Sequence, residues 1–230
     1  MGYQHYSFDL WMTLIKSNPA FKKARAKFFY DHLNPLGKTL EEVNTVFRQI
    51  DRMCNAINEK TGGNITSEEM YLMVVHGLNA HGNAFENIQL PWLYHEMEQL
   101  LLQYPPVVYD ESTVPVLQQI KQRDDVTISL LSNTAFIKGS SLRKVLEMMG
   151  LAAYFDFQIY SDEVGASKPN KIIFDAMLRS IATVRNGNID VHTIVHVGDN
   201  VIADIYGANT AGIKGILINA NKVSINSLLH

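Results

Sequence analysis

Asp9, Ser132, Lys168, Asp199 and Asp204 each stand at or just beyond a short apolar run, and their residue types suit one kind of chemistry. A carboxylate can attack phosphorus only when the repulsion between it and a phosphate dianion is offset, and a divalent cation with a lysine ammonium does this. Asp9, Asp199 and Asp204 supply oxygen ligands of the kind that suit Mg2+, a hard ion that keeps several waters. Lys168 is the counter-charge, and the Ser132 hydroxyl with the N–H groups after it can donate to phosphate oxygens. A covalent intermediate on Asp9 would split one hard displacement into two easier ones. Taken singly, each residue has a plain structural reading as a turn or helix cap. Their joint order and setting favour a site.

The elements needed to gather them can be read from periodicity. His5 to Phe8 reads as a buried strand ending in the Asp9 carboxylate. From about Asn18 to Tyr104 the pattern turns helical. Phe21, Ala24, Phe28, Phe29 and Leu33 share one face, Thr39 with Glu42 and Thr66 with Glu69 form capping boxes, and Pro91 opens a fourth helix. Gly62-Gly63-Asn64 and Gly82-Asn83 read as turns, and Pro105-Pro106 closes the block. Strands are then expected at Val126 to Leu131, Phe157 to Tyr160, Thr193 to Val197 and Gly215 to Ile218, most of them followed by a helical pattern. Such alternation predicts an α/β fold, a doubly wound parallel sheet with helices on both faces and its strand ends opening on one edge. Residues 1–16 and 105–230 would form that core, and 17–104 an inserted α-helical domain.

Composition excludes several classes. Apolar residues make up 47% and charged residues 19% of 230, an ordinary globular balance without low-complexity tracts. A net charge of −3 without a dense basic block argues against nucleic acid as a partner. The single cysteine, Cys54, rules out an internal disulfide framework and suits a reducing compartment, and its place on an apolar helical stripe suggests packing. No apolar run reaches membrane-span length and the start lacks signal-peptide layout, so no membrane association and a cytoplasmic location are expected. His192 and His196 on one strand face, and His76 near His81, lack a third ligand in register. Lys16, Lys22, Lys23 and Arg25 could meet an anionic substrate, but a solvated helix face is the commoner reason for such a cluster.

The stretches Phe8-Asp9-Leu10-Trp11-Met12-Thr13-Leu14, Leu131-Ser132-Asn133-Thr134, Ser167-Lys168-Pro169 and Val197-Gly198-Asp199-Asn200 running to Asp204 resemble the motifs of the haloacid dehalogenase-like hydrolase superfamily. The resemblance covers essentially the whole chain, with the helical block matching that family's cap. It implies Asp9 as nucleophile, Ser132 and Lys168 as further catalytic groups, and Thr13, Ser132, Asn133 and Lys168 as substrate contacts. It also implies Mg2+ held by Asp9, the Trp11 backbone carbonyl, Asp199 and Asp204, and a small phosphorylated metabolite as substrate. Two positions depart from the family pattern. Trp11 stands where phosphatase members carry a second Asp, and an indole N–H can neither protonate a leaving oxygen nor activate water. Met12 replaces a common Gly, which predicts an altered loop. Family members that cleave carbon–halogen bonds without a metal also lack that second Asp, so a 2-haloacid dehalogenase is an alternative, and a catalytically silent phosphate-binding relative is another. The acidic pair Asp199 and Asp204 argues for the magnesium-dependent reading.

Overall fold

A computed structural model describes residues 2–79, 88–187 and 189–229; His81 and the Gly82-Asn83 turn lie outside them. The chain runs from β1 (His5–Phe8) through β2 (Ile15–Lys16) into four helices, α1 (Pro19–His32), α2 (Leu40–Thr61), α3 (Ser67–Leu78) and α4 (Leu90–Gln103). It returns through β3 (Val107–Val108) and α5 (Thr113–Lys121), then alternates β4 (Thr127–Ser132), α6 (Gly139–Met148), β5 (Phe157–Tyr160), α7 (Ser161–Val164), α8 (Lys171–Val184), β6 (Ile194–Gly198), α9 (Gly207–Thr210) and β7 (Lys214–Leu217).

The main sheet has the order β5-β4-β1-β6-β7, and every neighbouring pair is parallel. β1 is central and buried along its whole length: Tyr6 and Phe8 enter the apolar core, while His5 and Ser7 are satisfied by hydrogen bonds to Thr127, Ser129 and His196 of the flanking strands. On one face Val116, Leu117 and Ile120 of α5 and Leu142 and Leu146 of α6 pack with Tyr6 and Phe8. On the other, Ile173, Phe174 and Met177 of α8 pack with Leu131 and Ile194. Phe8 sits opposite Leu130 of β4 and Val197 of β6, so the residues that follow each strand emerge on one rim.

The four helices begin where the sequence says they should. Asn18 caps α1, both capping boxes are formed, and Pro91 lies in the first turn of α4. Each such cap is worth about 1 kcal/mol. Phe29, Phe47, Tyr71, Val74, Leu93 and Met97 form a core of their own, into which Phe136 from the β4–α6 connection inserts. β2 and β3 pair antiparallel, Ile15 with Val108 and Lys16 with Val107, where the chain leaves for the helices and comes back. Two-residue strands show no periodicity, so this ribbon leaves no mark that a sequence pattern could reveal. Cys54 is buried with its Sγ 3.6 Å from Met73 Sδ, and burial pushes its thiol up to about 11, as packing rather than reactivity requires. The two histidines expected on one strand face are apart: His192 is exposed in a turn at Val191–Thr193, and only His196 lies in β6. Among the described residues no helix is long and apolar enough to cross a membrane.

Candidate active site

Lys168 organises the rim. Its Nζ donates to Asp9 Oδ1 at 2.8 Å, to Asp204 Oδ1 at 2.7 Å and to the Leu131 carbonyl at 2.7 Å, which uses all three of its N–H bonds. The ammonium is thereby fixed at 1% exposure. Asn133 holds the backbone beneath it: its Oδ1 accepts from Lys168 N at 2.7 Å and its Nδ2 donates to Lys168 O at 3.0 Å.

Asp204 lies in a π-helical turn, Val201–Tyr206, which Asn200 caps through the N–H groups of Ile202 and Ala203. Both Asp204 oxygens are engaged, Oδ1 by Lys168 and by His196 Nε2 at 3.1 Å, Oδ2 by the Asn200 N–H at 2.9 Å. With its Nε2 proton turned to that carboxylate, His196 Nδ1 accepts from the Ser7 hydroxyl at 2.9 Å. A Cβ at Gly198 would fall on the Asp204 carboxylate, which explains glycine there. Thr13 Oγ1 donates to Asp9 Oδ2 at 3.0 Å and lies 3.5 Å from Asp199 Oδ1. Met12 takes φ +60°, the left-handed region that glycine enters most cheaply, so the loop altered in sequence carries backbone strain of about 1 kcal/mol.

Charge at the rim is unbalanced. Oxygens of Asp9, Asp199 and Asp204 lie within 4.8 Å of one another, against a single ammonium. Burial raises Asp9 above the usual carboxylate range, with Lys168 pulling the other way and Asp204 adding repulsion. Burial and Asp204 likewise raise Asp199. Asp204 would also be raised by burial, but Lys168 and His196 hold it well below that range. Burial lowers the His196 pKa, with the Lys168 charge acting the same way and Asp204 opposing. Three carboxylates against one ammonium fit a divalent cation, and all three line the cavity; Asp199 is the least engaged, since Asp9 accepts from Lys168 and Thr13, and Asp204 from Lys168, His196 and Asn200.

The cavity in front of the rim has a volume of about 460 Å3, and its walls include Asp9, Trp11, Asn133, Lys168 and Asp199 on the sheet side. Two expected contacts do not line it. Ser132 is buried at the end of β4 and its hydroxyl donates to the Asn133 carbonyl at 3.0 Å, and Thr13 is turned to Asp9. The N–H of Thr134, one of the expected phosphate donors, is taken by Ser161 Oγ at 2.8 Å.

The helical block is fastened to the rim. The Gly62 carbonyl accepts from Ser167 N at 3.2 Å and Asn170 Nδ2 at 3.0 Å, and Asn64 Oδ1 accepts from Ser161 Oγ at 2.6 Å and Ser167 Oγ at 3.2 Å. Asn64 therefore touches both the group that holds Thr134 and the residue before Lys168. Opposite, Glu98 of α4 accepts from Ser141 Oγ at 2.7 Å and pairs with Lys144. In the sequence Asn64 reads only as a turn residue, and His196 only as half of a histidine pair that lacks a third metal ligand. The second carried a signal, a histidine in an otherwise apolar central strand.

A parallel sheet with acidic and lysine side chains converging on one rim, beside a helical insertion, is the architecture of an α/β protein with a polar site at its strand ends. A family model of the haloacid dehalogenase-like hydrolases matches residues 3–212, and the chain belongs to that family. It is 27% identical to a ribulose-1,5-bisphosphate 5-phosphatase of Halopiger xanaduensis over 94% of this chain and 85% of that protein. It is 42% identical to the pyrimidine 5'-nucleotidase YjjG of Escherichia coli, over 36% of this chain and 35% of the relative. Among solved structures, the HAD-hydrolase YfnB of Bacillus subtilis, bound to magnesium, shares the fold with a TM-score of 0.72 at 17% identity, covering 95% of this chain and 90% of that one.

Proposed function

We propose that the protein hydrolyses or transfers the phosphoryl group of a small phosphomonoester through Asp9, under a cap formed by residues 17–104. The observation that carries this reading is the convergence of Asp9, Lys168 and Asp199 on the cavity with more negative charge than Lys168 balances. Named phosphatases among the relatives support it, and since their substrates differ, what carries over is the phosphomonoester. Asp9 and Asp199, with the Trp11 carbonyl, would hold Mg2+, which when bound offsets the charge of the phosphoryl oxygens. The hydrogen bonds from Lys168 to Oδ1 and from Thr13 to Oδ2 orient the Asp9 carboxylate, whose remaining lone pairs are available to phosphorus. Lys168 fixes the orientation of Asp9 and screens the approach of a dianion. Attack forms the Asp9 O–P bond as the ester O–P bond breaks, and the leaving oxygen departs as an anion that takes its proton from solvent. Water then hydrolyses the aspartyl phosphate, releasing phosphate and restoring Asp9. Asp204, His196, Asn133 and Thr13 position these groups, and Ser132 supports the strand end.

Trp11 in the cavity wall leaves the first step without a proton donor at that position, so aryl phosphates, whose aryloxide leaves unprotonated, should turn over faster than alkyl phosphates, whose alkoxide needs a proton. Hydrolysis of p-nitrophenyl phosphate that EDTA abolishes and Mg2+ restores is the expected result. Chelator-insensitive chloride release from 2-chloropropionate, with no phosphatase activity, would overturn the reading in favour of a dehalogenase. Trp11→Asp should raise kcat on alkyl phosphates by at least about tenfold, within the range that general acid–base help supplies. Unchanged turnover in a folded variant would remove the missing acid as the limitation.

A further inference from the structure

The wall of the cavity opposite the carboxylates is formed by α1 and α2, and it contains a cation in an uncommon setting. The Arg25 guanidinium lies 4.2 Å from the ring centroid of Phe47, 4.6 Å from that of Phe136 and 5.4 Å from that of Phe21, and all four residues line the cavity. Its Nε is buried and has no hydrogen-bond partner, and Arg25 makes no ion pair among the described residues. Aromatic faces hold a guanidinium by attraction to its positive charge, but they accept none of its in-plane N–H bonds. The buried Nε lies beside the Tyr71 hydroxyl, which is itself buried without another partner, whereas the rest of the guanidinium borders the cavity with no acceptor among the described residues, so its in-plane N–H groups are left for a ligand.

We propose that Arg25 is a specificity residue that reads the leaving group of the substrate, donating from its clamped edge to an sp2 oxygen. The inference rests on the phosphoryl-transfer reading, since it places the ester at Asp9 and the leaving group at the helical wall. Asp51 of α2 lines the same wall. Its carboxylate disfavours a second anion beside Arg25 and offers an acceptor for a donor on the ligand. An adjacent carbonyl and N–H, the edge of an amide, imide or oxo-heterocycle, satisfies both groups, whereas a sugar phosphate or bisphosphate satisfies neither as well. The rings fix the plane of the guanidinium, so its donors are set before the ligand arrives. Burial depresses the guanidinium pKa, with the Tyr71 hydroxyl and Asp51 opposing it.

The test compares uridine 5'-monophosphate with ribose 5-phosphate, the same ester without the oxo-heterocycle, in the full-length wild type, Arg25→Met and Arg25→Lys. The wild type should favour the nucleotide in kcat/KM by at least about tenfold, the scale of one charge-assisted hydrogen bond. Arg25→Met should abolish that preference, and Arg25→Lys, which keeps charge without the planar fork, should lose most of it. Both should keep kcat on p-nitrophenyl phosphate within about threefold. Absence of preference in the wild type, or its survival in Arg25→Met, overturns the assignment. So does loss of p-nitrophenyl phosphate turnover in both variants, because Arg25 would then serve folding or general catalysis. If the wild type hydrolyses no phosphomonoester, the parent reading fails instead, and stabilisation of the wild type but not Arg25→Met by millimolar uridine still decides the recognition claim.

Discussion

On the sheet side of the cavity, Lys168 places every N–H on an oxygen within 2.8 Å, and Asp204 spends both oxygens on partners from β6, the turn after it and the Lys168 loop. On the helical side, Arg25 lies against hydrocarbon with Nε unmatched, and Asp51 makes no ion pair among the described residues. Closed networks of buried polar groups hold a geometry whether or not a ligand is present. Unmatched groups hold it only in part and gain most when a ligand completes them. The first arrangement suits chemistry common to many esters, the second suits choice among them.

The comparison can be broken from either side. The largest effect is expected from Asp9→Asn, which should reduce turnover of every phosphomonoester by at least about a thousandfold while the melting temperature stays near that of the wild type. A substrate-dependent loss would instead mean that the two walls do not divide the work. Next, Gly198→Ala pushes a methyl group onto the Asp204 carboxylate and should cost about 3 kcal/mol, read as a lower denaturant midpoint, with turnover falling on all substrates alike.

A control on the sheet away from the cavity follows. His5 is buried, with Nδ1 2.7 Å from Thr127 Oγ1 and Nε2 2.8 Å from Ser129 Oγ, and burial lowers its pKa to about 3, with Asp156 opposing. The folded protein keeps this ring neutral while the unfolded chain protonates it below about 6.5, so the unfolded state binds the extra proton and stability falls as pH drops from 6.5 towards 3. Between pH 7 and pH 5 the loss should be about 2 kcal/mol in chemical denaturation, and His5→Gln should flatten that slope. A slope unchanged in the variant would assign the acid sensitivity elsewhere.

The join between the walls gives a smaller effect. Asn64→Ala removes the acceptor shared by Ser161 and Ser167 and should lower kcat about tenfold on all substrates, with Asn64→Asp restoring most of it because an acceptor returns. Recovery in neither variant, with a normal fold, would mean that this clasp does not position the Lys168 loop. Smallest of all, Met12→Gly should raise stability by about 0.5 kcal/mol, because relief of the left-handed strain outweighs the entropy that glycine adds to the unfolded chain.

How far the sequence could be read follows the same division. The strands of the main sheet and the cap helices were legible because burial on two faces and capping boxes leave local marks, as in Ile194–Gly198 or Thr39 with Glu42. The residues at the strand ends were legible because topology alone brings Asp9, Lys168 and Asp199 to one rim. The roles of Ser132, Thr13 and Asn133 were not, since a rotamer and a partner decide whether a hydroxyl or amide meets ligand or backbone. Arg25 was set aside with Lys16, Lys22 and Lys23 as a charged helix face. Yet it stands four residues from both Phe21 and Phe29, which places it on the buried stripe of α1. Periodicity held that signal, and composition of the cluster concealed it.

The little ribbon of β2 and β3 has one more implication. Because Lys16 and Val107 are hydrogen-bonded neighbours, and Asn18 Nδ2 also ties to the Pro105 carbonyl at 3.1 Å, the helical insertion departs and rejoins at almost a single point. A graft of another length or sequence between those two residues would leave the spacing of β1 and β4 untouched. Evolution, or an engineer, can thus swap the helical insertion as a cartridge while the strand ends of the sheet stay in register.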